Sequence, residues 1–89
     1  MSNTVVLFTL NTCEYCNSLK ERLYNLSIPF NELDVEKCED IWNKIVEETE
    51  SDSVPVILIY DENDNGEIYV PGKDYETEDE IVEIIKKGT

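Results

Sequence analysis

The sequence predicts an α/β domain: a four-stranded mixed sheet flanked by three helices, in the order βαβ-α-ββα. Three observations carry this reading. A β-branched apolar run near the start leads into a segment of helical spacing and then a second extended run. A continuous apolar stretch at residues 54–60 is followed by an Asn-Gly turn. The final segment opens on a capping box, Thr77-Glu78-Asp79-Glu80.

Each element has its own local cause. Thr4-Val5-Val6-Leu7-Phe8-Thr9 is β-branched and apolar, which predicts a buried strand, and Leu10-Asn11-Thr12 is the loop after it. Cys16, Leu19, Leu23 and Leu26 recur at spacings of three, four and three, the apolar face of a helix. Pro29 forbids its continuation, because the residue before a proline is pushed to extended geometry. Residues 30–35 form the second strand, with Leu33 and Val35 on one face. Ile41, Trp42, Ile45 and Val46 mark a second amphipathic helix over residues 38–50. The apolar run 54–60 is unbroken rather than alternating, so both its faces are covered and it is a central strand. Pro55 is tolerated there only near the start. The polar turn 61–66 and the alternation of residues 67–70 make a hairpin, which Pro71-Gly72 terminates. In the last helix Ile81, Ile84 and Ile85 are the inward face, Lys86 and Lys87 sit at its negative end, and Gly88 closes it.

Composition bounds the function. At 89 residues the chain is one domain, 1–89, burying roughly 60–68% of its unfolded surface without disulfide staples. Seven basic against 21 acidic side chains give −14, so nucleic acid and anionic membranes are excluded as partners, because their phosphates are repelled. Histidine is absent, which removes His-based triads, His general bases and His-ligated metal sites together. Residues 1–30 are neutral overall, with Glu14 and Glu21 balanced by Lys20 and Arg22, and the remainder holds the whole −14. A neutral zone on an acidic body suits contact with an acidic protein or an anionic small molecule; its plainer meaning is solubility. No basic export leader and no membrane-length apolar run occur, and three cysteines do not make a secreted disulfide framework, so the expected compartment is a reducing cytoplasm.

In a reducing compartment a CxxC pair is catalytic or metal-binding. Cys13-Glu14-Tyr15-Cys16 falls where the first strand passes into the first helix. There the sulfur of Cys13 faces unpaired helix amides and the positive end of the helix, which stabilise a thiolate. Cys16, one turn in on the buried face, is placed to act as the resolving thiol. Two helical residues three apart hold their Cβ atoms ~5–6 Å apart, more than the ~3.8 Å of a disulfide; a non-helical cap position for Cys13 closes the gap. A zinc site needs four ligands, and only Cys38 and a carboxylate remain to supply the others, so no metal is expected. Cys38 reads as a bystander and Trp42 as core.

With these residues the chain resembles the glutaredoxins, members of the thioredoxin fold, over nearly its whole length. The resemblance rests on Cys13 and Cys16 with a tyrosine third in the motif, on Ser53-Val54-Pro55 opening the third strand, and on Pro71-Gly72 before the last helix. It implies that Cys13 is the nucleophile and that Cys16 resolves. It further implies a cis Pro55 facing the sulfurs, with Tyr15 lining a glutathione groove. Val54 would pair with the main chain of the tripeptide, and Gly72, Lys73 and Asp74, with Tyr75 beside them, would meet its γ-glutamyl end. Glu14 stands where the motif usually has proline, Leu10 where many members have a cation, Pro71 where they have glycine, and Tyr75 in an acidic slot.

The function so implied is a glutathione-dependent dithiol oxidoreductase, monomeric, with glutathione as co-substrate and no bound cofactor. Its clients would be proteins bearing disulfides or glutathione mixed disulfides, ribonucleotide reductase among them. Two rivals use the same residues: a donor reduced by a flavin reductase, and a dimer sharing an iron–sulfur cluster through Cys13 and glutathione. The lack of alanine and glutamine beside abundant Ile, Asn, Lys and Glu is in keeping with an AT-rich genome such as a phage's.

Overall fold

The computed structural model describes residues 3–63 and 65–88. Asp64, in the expected turn, and residues 1, 2 and 89 lie outside the described residues. The elements are β1 (Thr4–Thr9), α1 (Glu14–Asn25), β2 (Asn31–Asp34), α2 (Glu39–Thr49), β3 (Val56–Tyr60), β4 (Gly66–Tyr69) and α3 (Glu78–Gly88). The sheet order is β2-β1-β3-β4, with β1 and β2 parallel and the other two pairings antiparallel. This is the mixed four-stranded sheet with three helices that the sequence predicts.

Strand alternation divides the core between the two sheet faces. Val5 and Leu7 of β1 and Ile57 and Ile59 of β3 meet Leu19 and Leu23 of α1 and Ile81, Val82 and Ile85 of α3. On the opposite face Val6, Phe8 and Val56 meet Val35 and Ile45, and Trp42 of α2 stacks on Phe8 at 6.1 Å between ring centroids. Each fully buried leucine or isoleucine contributes about 1.5–3 kcal/mol of transfer free energy.

Four residues depart from the helix faces read from periodicity. Leu26 is 44% exposed because α1 ends at Asn25: the Leu26 N–H bonds to the Arg22 carbonyl, and Ser27 at φ 58° turns the chain. Ile28 and Phe30, beyond the helix end, pack against the same core layer. Ile41 is 49% exposed, since Trp42 and Ile45 cover the sheet and leave its side of the first turn of α2 to solvent. In α3 Val82 is buried whereas Ile84 is only partly so, because the helix lies against both the sheet and α1 and needs a wider inward stripe. Among the described residues no helix is long and apolar enough to cross a membrane.

Candidate active site

One end of the sheet gathers three chain segments. Because β1 and β3 are antiparallel, with Phe8 opposite Val56, the exit of β1 lies beside the approach to β3. Ile57 opposite Tyr69 brings the exit of β4 to the same end. The first segment carries Cys13 and Cys16, the second Val54 and Pro55, the third Pro71 and Gly72.

Cys13 is the N-cap of α1, with extended backbone at φ −86° and ψ 113°. Its Sγ accepts the Cys16 backbone N–H at 3.2 Å, the bond a serine or aspartate oxygen makes at this position. An amide aimed at the sulfur stabilises negative charge there as it attacks a disulfide. The thiol also faces the Val54 carbonyl at 4.0 Å. Cys13 is partly exposed, whereas Cys16 is fully buried one turn into α1. Burial pushes the Cys16 thiol up to about 12, helped by its hydrogen bond with Cys13 and the charge of that sulfur; a backbone bond from Leu10 and the charge of Lys20 oppose the shift. The two sulfurs thus differ in access.

Beside them runs a groove of about 730 Å³. Tyr15, Val54, Pro55 and Gly72 line it, together with Ser18, Ser53, Pro71, Tyr75 and residues 76–78. The Val54–Pro55 peptide is cis. The Val54 N–H has no partner among the described residues, so this segment keeps main-chain capacity for a ligand. Gly72, at φ 85°, occupies the left-handed region that favours glycine, and its N–H bonds to the Tyr75 carbonyl at 2.7 Å.

Lys73 and Asp74, which the resemblance assigns to the ligand, do not line the groove. The Lys73 ammonium donates to the Thr49 carbonyl, and the Asp74 carboxylate turns back to accept the Val70 N–H at 2.8 Å. A tight turn sets those side-chain directions, which spacing alone does not reveal. The reading of Tyr75 as occupant of an acidic slot missed its structural part. Its ring is buried, and its hydroxyl donates to the Pro55 carbonyl. Burial, then the charges of Cys16 and Cys13, hold that hydroxyl protonated far above the usual tyrosine range. An aromatic residue between Pro-Gly and a capping box was the available signal.

Elsewhere, a cavity of about 550 Å³ between the β3–β4 hairpin and the end of α3 contains no cysteine. Cys38 caps α2 by position only, with its thiol donating to the Asp34 carbonyl at 3.1 Å. Among the described residues no three Cys, Asp or Glu side chains converge as a metal-ligand set.

A family model described as Glutaredoxin matches residues 5–63, more than half of the chain and inclusive of both cysteines and Pro55. The chain belongs to the glutaredoxin family. No curated protein matches it. Among solved structures, the crystal structure of a mutant thioredoxin-like protein superposes on this glutaredoxin with a TM-score of 0.61 at 16% identity, covering 96% of this chain and 97% of that one. At that identity the likeness speaks for the thioredoxin fold alone. Family membership makes the chain a thiol–disulfide oxidoreductase in general.

Proposed function

We propose that the protein is a dithiol glutaredoxin that reduces protein disulfides and glutathione mixed disulfides, with glutathione as reductant. The supporting observation is the unequal pair: a partly exposed Cys13 receiving a helix amide, over a fully buried Cys16. The Cys13 thiolate attacks one sulfur of the substrate disulfide, forming a Cys13 mixed disulfide and expelling the other sulfur as thiolate. The Cys16 sulfur, its proton passing to the departing thiolate or to solvent, then attacks Cys13. The products are the Cys13–Cys16 disulfide and a second substrate thiol. The substrate gains two electrons, the protein loses two, and two glutathione molecules oxidised to their disulfide restore it. Val54, with its free N–H, offers a main-chain docking edge for the tripeptide. We place the protein in the cytoplasm as a monomer.

The test compares Cys13→Ser and Cys16→Ser in two assays coupled to glutathione reductase. Cys13→Ser abolishes exchange in both. Cys16→Ser keeps deglutathionylation and loses reduction of protein disulfides that need intramolecular resolution. Activity retained by Cys13→Ser, or equal loss of both activities in Cys16→Ser, sinks the assignment. Failure of glutathione to drive turnover, with a flavin reductase succeeding, transfers the reductant role.

A further inference from the structure

A protein holds a carboxylate ligand mainly by a cation or by a helix N-terminus. Around this groove the chain's own side chains engage the cations and part of the helix N-terminus. Arg22 of α1 pairs with Glu78 and Asp79 of α3. Lys20 pairs with Glu32 at 2.7 Å, and Lys73 is held by the Thr49 carbonyl. At the start of α3, Glu80 Oε1 accepts the N–H groups of Glu76 and Thr77, at 3.3 and 3.2 Å, and Thr77 Oγ1 accepts the Glu80 N–H. What the groove presents instead is Glu76, exposed and without an ion pair among the described residues, and the 79% exposed ring of Tyr15, with Glu78 beside them shared with Arg22. Carboxylates next to an open aromatic face suit a cation.

We propose that this groove selects disulfides flanked by cationic residues, a basic polypeptide rather than an anionic one. The inference rests on the dithiol reading above and names its substrate class. Main-chain pairing along Val54 is indifferent to charge, so glutathione still docks, but its carboxylates meet no cation among the residues that line the groove. In the neutral zone of residues 1–30 both cations, Lys20 and Arg22, are already engaged in ion pairs. The exchange balances as before: the cationic disulfide takes two electrons to become two thiols, and Cys13 and Cys16 become a disulfide.

Three symmetrical peptide disulfides test this, with the cysteine flanked by lysine, serine or glutamate. Pre-reduced wild-type protein is mixed with each, released peptide thiol is timed, and every rate is divided by the rate with dithiothreitol to remove differences in leaving-group chemistry. At about 0.01 M salt the lysine peptide reacts about tenfold or more faster than the glutamate peptide, and the ratio falls towards one at about 1 M. The ratio shrinks in Glu76→Gln, whose side chain takes part in no ion pair among the described residues, and further in Glu76→Gln/Glu78→Gln. Equal normalised rates at low salt, or faster reaction of the glutamate peptide, overturn the charge selection and leave the dithiol reading standing. A preference that survives the double substitution belongs to the overall charge and overturns the assignment to the groove. No oxidation by any peptide removes the dithiol reading itself.

Discussion

The Tyr75 hydroxyl donates to the Pro55 carbonyl, tying the segment before α3 to the turn before β3 by a buried hydrogen bond. The bond links two walls of the groove that are distant in sequence. In Tyr75→Phe the carbonyl loses its buried partner, which costs about 1–3 kcal/mol. Urea unfolding should report that loss, and the KM for a glutathione mixed disulfide should rise more than kcat falls. Unchanged stability and KM would show that the hydroxyl fixes nothing.

The buried thiol of Cys16 makes stability pH-dependent on the alkaline side. Its folded pKa, about 12, lies above the ordinary 9.0, mainly through burial. The folded state therefore holds the proton more tightly, and the unfolded state binds fewer protons between these values. The contribution is fully present below about pH 9 and is lost as pH rises towards 12. Buried Tyr75, shifted in the same direction, adds to the decline. Urea midpoints of the reduced protein should fall across this window and fall less steeply in Cys16→Val. Iodoacetamide at neutral pH should label Cys13 and spare Cys16 in the native state.

At the start of α3 the Thr77 hydroxyl accepts the Glu80 N–H at 3.2 Å, and Glu80 reaches back to the Thr77 N–H. Thr77→Ala should cost about 0.5–2 kcal/mol, and Thr77→Ser much less. Thermal melts of both variants check this, and equal melting temperatures would argue against the reciprocal cap.

Gly72 stands at φ 85° with open space around the place a Cβ would take. Backbone conformation rather than crowding is the obstacle, so Gly72→Ala should cost about 1–2 kcal/mol. Gly72→Asn should cost less, because asparagine visits this region more readily. A stability series over glycine, asparagine and alanine gives the order directly.

Much of the fold was legible because local rules and tertiary needs coincide. β1 runs from Thr4 to Thr9 as its β-branched residues predict, Cys13 takes the cap position, and Thr77 and Glu80 form their box. Periodicity failed where it ran past an end: Leu26 keeps the spacing of α1 but follows its last residue. The site was half legible. Residues fixed by backbone position, such as Tyr15, Val54 and Gly72, meet at one groove. Side chains whose direction depends on partners far along the chain could not be placed, among them Lys73 on the Thr49 carbonyl, Arg22 on α3 and Tyr75 on Pro55.

The groove exists only where the strands lie side by side, because its walls are α1, the segment before β3, the segment after β4 and the start of α3, which the sheet brings to one end. The paired cysteines, by contrast, are neighbours within a single helical turn and keep that proximity in any species where α1 is formed. A partly assembled chain would therefore still trade disulfides, but without discrimination among partners. Selectivity, more than bulk thiol reactivity, is the quantity that reports completion of the sheet. Comparing how the two recover during refolding would time the arrival of β3 and β4 beside a helix already in place.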